Sequence, residues 1–214
     1  MQQHLRIWRG LLILVVTAQI LIGCGGGQSV SPSASIYSFD IPTRWFDLWQ
    51  DLIRTTPGWT PPVASRAIGY AGVALYEAVV PGMPGHRSLA GQLNGLEQVP
   101  QIDPALVYDW QSAANGPLAS NTRHLFRPLD NARAHEISAK IGALEREIAA
   151  ELRLSVAPDV AARSTAHGES VALAIYTWSL GDGAFDGDKA NFPSGFELPS
   201  GDGAWVATSD KAPI

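Results

Sequence analysis

Thiols are almost missing from this chain: Cys24 is the only cysteine in 214 residues, so no intrachain disulfide can brace the fold. Charge is also sparse, at 16%, and lysine is limited to Lys140, Lys189 and Lys211. The longest apolar run, Leu11 to Ile22, falls short of the ~20 residues a membrane-spanning helix needs. Stretches alternating apolar and polar residues at a strand's period of two are wanting. So are a Gly-x-Ser-x-Gly elbow, a His-Glu-x-x-His pair and a phosphate-cradling glycine loop. These gaps exclude a disulfide scaffold, a multispanning channel and several common catalytic designs. What is present is 46% hydrophobic residues, which suits one or two packed domains.

The amino terminus reads as an export signal. Met1 to Gly10 carries Arg6 and Arg9 without an acid, and the apolar run follows. Leu21-Ile22-Gly23-Cys24 then resembles the bacterial lipobox. That resemblance implies that residues 1–23 are a lipoprotein signal peptide, that the Cys24 thiol is acylated, and that the protein is exported and lipid-anchored to a membrane of the bacterial cell envelope. An ordinary secretory signal with an incidental cysteine is the alternative. Residues 24–39, beginning GGGQSVSPSAS after the cysteine, read as a flexible tether. Loss of the leader takes away two of the 15 basic residues and none of the 20 acidic ones, leaving a net charge of about −7. Nucleic acid is therefore not expected as a partner.

Residues 40–180 read as an all-α domain, a helical bundle. Asp40 to Thr55 places Trp45, Trp49 and Leu52 at i, i+4 and i+7 with Phe46 and Ile53 beside them, and Pro57-Gly58 ends it. Thr60 to Val80 is apolar or small except at Ser65, Arg66, Tyr70, Tyr76 and Glu77, which predicts a helix at the bundle centre. Arg66 and Glu77 are eleven positions apart, about 16 Å in rise, so each needs its own partner near a bundle end. Asp103 to Ala114 is a further expected helix, stopped by Asn115-Gly116-Pro117. Asp130 to Leu154 turns Ile137, Ile141, Leu144, Ile148 and Leu152 inward, and Pro158 to Leu180 uses Val160, Val171, Ala174, Ile175 and Trp178. Residues 181–214 show neither period, yet keep Phe185, Phe192, Phe196 and Trp205, which call for a surface to pack on.

The order of WFDLWQDLIRTTPG, PPVASRAIGYAGVALYEAV, HGESVALAIYTWSLGDG and GDGAWVATS resembles the N-terminal half of bacterial vanadium-dependent haloperoxidase-like proteins, which are similar to type 2 phosphatidic acid phosphatases. The resemblance spans about Asp40 to Thr208. It implies a helical-bundle half of a two-bundle architecture, with a catalytic half following it. In a complete relative, a Lys, two Arg, Ser and Gly donors and one His form a cage for vanadate or phosphate, supporting halide oxidation by hydrogen peroxide or ester hydrolysis. The family motifs are Lys-x6-Arg-Pro, Pro-Ser-Gly-His and Ser-Arg-x3-Gly-x-His. Here Arg127-Pro128 has Ser120 in the lysine position, Pro193-Ser194-Gly195 precedes Phe196, and Pro199-Ser200-Gly201 precedes Asp202. Ser65-Arg66 has its glycine, Gly69, one place early. No catalytic, metal-binding or cofactor-binding residue is therefore carried over, and Cys24 remains the one assigned site, for lipidation. The expected partners are the membrane and a catalytic half elsewhere. A non-enzymatic surface lipoprotein that binds a ligand is the alternative.

Arg123, His124 and Arg127 could grip an anion, although a solvated helix end is the better reading of them. Asp182, Asp186, Asp188 and Asn191 offer oxygens without the spacing of a twelve-residue calcium loop. Adjacent His135 and Glu136 point about 100° apart on a helix. His167, two residues from Glu169, reads as a surface hydrogen-bonding group, and His86 lies in a loop without an acidic neighbour.

Overall fold

The computed structural model describes residues 30–126, 131–190, 197 and 200–204. The chain divides after Val30, and the unit that begins at Ser31 carries every helix discussed below. The all-α expectation holds: among the described residues there are six α-helices and no strand. They are α1 (Asp40–Thr55), α2 (Pro61–Val79), α3 (Trp110–Leu125), α4 (Asn131–Leu152), α5 (Pro158–Ser179) and the short α6 (Gly187–Ala190).

Four long helices match their sequence patterns to within two residues at either end. The stripe of α1 buries Ile41, Trp45, Trp49 and Leu52. Trp49 meets Phe126 edge to face, and Trp59 stacks on the same ring at 3.8 Å between centroids. Indole nitrogens inside this core cannot stay unpaired without cost. Trp45 Nε1 accordingly donates to Asn115 Oδ1 at 2.8 Å, and Trp49 Nε1 to Thr122 Oγ1 at 2.7 Å. From α4, Ile137, Ile141, Ile148 and Leu152 close the core, with Leu144 half-buried against it.

The third helix corrects the sequence reading twice. Asp103 starts only a turn, in which its carboxylate accepts from the Ala105 amide at 2.9 Å. The helix begins at Trp110, where Asp109 caps it by accepting from the Ser112 amide at 2.7 Å. It then runs straight through Asn115-Gly116-Pro117, the segment expected to break it. The reason lies in α5. A Cβ on Gly168 would stand 2.3 Å from the Ala113 carbonyl oxygen, and one on Gly116 would stand 2.5 Å from the Thr165 oxygen. Pro117 deprives the Ala113 carbonyl of its usual amide donor, and the bare Cα of Gly168 brings the α5 backbone against that same carbonyl. Close backbone packing compensates for the lost bond, so the proline stays helical.

As a result α3 is the central helix. Eleven of its residues are buried, including Asn115, Gly116 and Pro117. The segment expected at the centre, α2, is sided instead. Ala64, Ala67, Ala71, Ala74 and Ala78 face inward, whereas Ser65, Ile68, Gly69 and Gly72 are exposed.

Side-chain pairings fix the helix directions. Trp45 with Asn115 and Trp49 with Thr122 make α1 parallel to α3, and Asp109 with Ser164 and His124 with Tyr176 make α3 parallel to α5. Arg44 reaches Glu151 while Lys140 reaches Asp51, so α4 is antiparallel to α1. Arg66 meets Ser179, and the ring of His167 meets the Ala78 backbone, so α2 is antiparallel to α5. One end of the bundle thus gathers the starts of α1, α3 and α5 with the finishes of α2 and α4. Part of the expected tether belongs to this end: Ser31 Oγ accepts from the Tyr108 amide at 2.9 Å, and the Pro32 carbonyl accepts from Trp110 Nε1 at 2.6 Å. At the other end, α6 lies against the Pro57-Gly58 turn, where a Cβ on Gly58 (φ 86°) would stand 2.1 Å from the Asp188 carbonyl oxygen.

The crossing yields a direct expectation. Gly116→Ala or Gly168→Ala should cost about 2–3 kcal/mol, because the intruding methyl meets backbone that cannot rotate away. Gly72→Ala, with nothing within 4 Å of its new methyl, should gain up to about 1 kcal/mol of helix stability. Urea unfolding midpoints of the three variants check the contrast.

Candidate functional site

Among the described residues, three polar groupings and one cleft are places where chemistry could reside. The first sits where the start of α2 meets the end of α5. Arg66 forks onto Asp182, with Nε donating to Oδ2 at 2.6 Å and Nη2 to Oδ1 at 2.9 Å, and Nη2 also donates to the Ser179 carbonyl at 2.7 Å. Tyr70 Oη donates to Asp182 Oδ2 at 2.9 Å, and the Ala184 amide donates to Oδ1 at 2.9 Å. The Arg66 hydrogen bond is the main reason the Asp182 carboxyl is held down at about 2, against the opposing effect of burial. Burial, then Asp182 itself, raises the Tyr70 phenol. Four donors occupy this carboxylate and its partner guanidinium is spent on it, so the near-match at Ser65-Arg66 leaves no anion-gripping arginine. Asp186, in the same loop, pairs with Lys189 at 3.0 Å.

The second grouping is Glu77, 1% exposed in the middle of apolar neighbours. Its carboxylate accepts from Ser88 Oγ at 2.7 Å and from the Leu89 amide at 2.5 Å, which anchors the long connection between α2 and α3. Arg66 and Glu77 therefore have separate partners, as their spacing requires.

The third surrounds Asp109 at the start of α3. Asp109 Oδ1 accepts from the Ser112 amide and from Ser112 Oγ, each at 2.7 Å, while Tyr37 hydrogen-bonds to the same carboxyl. Burial and then the Asp109 charge raise the Tyr37 phenol. Ser164 Oγ accepts from the Asp109 amide at 2.9 Å and donates to the Val160 carbonyl at 2.7 Å. His167 completes the cluster, edge-on to Tyr108 at 6.0 Å between centroids. It was expected at the surface but is buried, and burial lowers its pKa despite a hydrogen bond to the Ala78 backbone. Serine, histidine and aspartate thus lie on neighbouring elements without forming a relay. His167 Nε2 has no hydrogen-bond partner, and both Ser164 bonds run to backbone atoms. The arrangement holds three helices in register.

The cleft opens beside this cluster, with about 300 Å³ of space between the Ala34–Ile36 turn, α2 and the start of α3. Leu75, Val79, Met83 and Trp110 line its interior, and Ser35, Ser38 and Gln111 supply polar atoms.

The remaining candidates are dispersed. Arg123 pairs with Glu145, and His124 stacks on Tyr176 at 4.6 Å. His135 and His86 are exposed, and Lys140 bridges Asp51 and Glu136. Among the described residues, no group of three or more His, Cys, Asp or Glu could hold a metal ion. Cys24, Arg127, Asn191, Pro193-Ser194-Gly195 and Lys211 lie outside the described residues. Sequence reasoning missed Asp109, Ser164 and Tyr37. The available signal was the Asp-x-x-Ser cap at 109–112, obscured by the stronger-looking Asp103-Pro104 start. No family model, curated protein or solved structure matches the chain.

The Arg66–Asp182 fork should make stability pH-dependent. Its contribution is full above the ordinary carboxyl value of 3.8 and is lost as pH falls through about 2. With screening by solvent at this partly exposed site, Asp182→Asn should cost about 1–2 kcal/mol near neutrality. Denaturation of both proteins across that acid range should show the gap closing; a gap independent of pH would contradict the assignment.

Proposed function

We infer that this helical domain is the supporting, non-catalytic half of a lipid-anchored envelope protein of the haloperoxidase and acid-phosphatase kind, whose anion cage is supplied by another helical body. The observation that carries this reading is the sidedness of α2. A helix apolar around most of its circumference is normally covered on every side, yet only 39% of its most apolar window is buried. Ser65, Gly69 and Gly72 form an open strip of small residues with the apolar Ile68 exposed beside them, on which a second helical layer could lie. The all-α architecture is compatible with that role. So is the structural use of Arg66, which leaves the domain a scaffold for chemistry performed by other residues. In the complete assembly the cage would hold vanadate, for halide oxidation by peroxide, or phosphate, for ester hydrolysis.

One observation favours the alternative of a ligand-binding surface lipoprotein. The cleft beside Trp110 has an apolar interior and polar atoms at several points, as small-molecule sites do.

Two measurements test the main reading. The purified chain should show no vanadate-dependent bromination of a phenolic dye with peroxide and bromide, and robust turnover would place the cage within this domain. Cys24→Ser should release the protein from membranes of its host, and retention would remove the lipid anchor from the proposal.

A further inference from the structure

Three large apolar side chains stand in solvent near the bundle end where α1, α3 and α5 begin. Ile36 is 72% exposed, Phe39 81% and Leu154 88%. Leu154 belongs with the other two because it follows α4, whose Glu151 reaches Arg44 in the second turn of α1 at 2.7 Å. The apolar cleft opens between the Ala34–Ile36 turn and Trp110, at this same end. Scattered single apolar residues are ordinary on a protein surface, whereas several at one end together with a cleft call for a cover.

The chain's own route indicates what covers them. Sequence suggested a 16-residue tether from Cys24 to Phe39. The fold shortens it, because Ser31 and Pro32 are already fixed to Tyr108 and Trp110. Seven positions separate Cys24 from Ser31, which permits a reach of at most about 25 Å even when fully extended. An acylated Cys24 would therefore keep this end of the bundle, rather than the Arg66–Asp182 end, beside the bilayer.

We propose that the Ile36–Phe39 end is a membrane-docking surface, with Phe39 and Ile36 entering the interfacial region of a phospholipid bilayer and the cleft facing the lipid. The inference rests on the Cys24 anchor. Apolar burial drives the contact, since aromatic and aliphatic groups at one edge suffice for interfacial binding when a lipid chain already supplies proximity. A net charge of about −7 on the mature chain favours a zwitterionic surface over an anionic one.

The test uses the full lipidated chain in phosphatidylcholine vesicles. Because Cys24 is acylated, Phe39→Cys gives a single free thiol for an environment-sensitive fluorophore, and Leu180→Cys places the same probe at the opposite end of the bundle. The probe at 39 should be quenched roughly twofold or more by headgroup-proximal nitroxide lipids, and the probe at 180 should be unaffected. Equal quenching at both positions would overturn the proposal. So would a probe at 39 that is buried yet indifferent to nitroxide lipid, since protein would then cover that end. The Cys24→Ser release measurement separates the two layers: retention defeats the anchor, whereas release together with an unquenched probe at 39 defeats only the docking surface.

Discussion

The contact on which the architecture turns is the crossing of α3 and α5 at Gly116 and Gly168. Side chains at either position would collide with backbone, so the two helices can approach closely only because both residues lack one. That proximity lets Asp109 and Ser164 share a hydrogen bond across the helix starts, and it brings Tyr108 over His167 farther along. With α5 fixed against one side of α3, the other side is free to present Asn115 and Thr122 to the tryptophans of α1.

Much of the fold was legible in sequence because it depends on periodicity. The stripes of α1 and α4 are each apolar at helical spacing, and each packs into the core with only Phe46, Ile53 and Leu144 partly buried. The failure at α3 has a definite cause. Asn-Gly-Pro is a local breaker, and local preference decides only where tertiary contact is indifferent. At Gly116 it is not indifferent, because the residue that weakens the helix is the one that admits its neighbour. The information that rescues α3 resides at Gly168, about fifty residues downstream, where no window on the first segment could find it.

The charges illustrate a similar division. Spacing alone showed that Arg66 and Glu77 could not pair, and it correctly required a partner for each. It could not name Asp182 or Ser88, because both come from connections whose paths carry no periodic signal. His167 was misplaced for another reason. Its neighbour Glu169 is exposed, but one helical residue separates them, and that rotation carries the imidazole into the interface with α2.

Oxygens already taken up by fixed donors are the common character of these carboxylates. Asp182 is held ionised mainly by Arg66, while the Asp109 carboxylate is taken up by its own helix and a phenol, and that of Glu77 by a loop it organises. For Asp182 this favours the ionised state, whereas a proton-transferring group needs access to two. What the polar core achieves is rigidity at both ends of the bundle. That framework leaves two faces open, the strip on α2 and the apolar end near Phe39. Its open faces, more than its polar residues, are where its function should be sought.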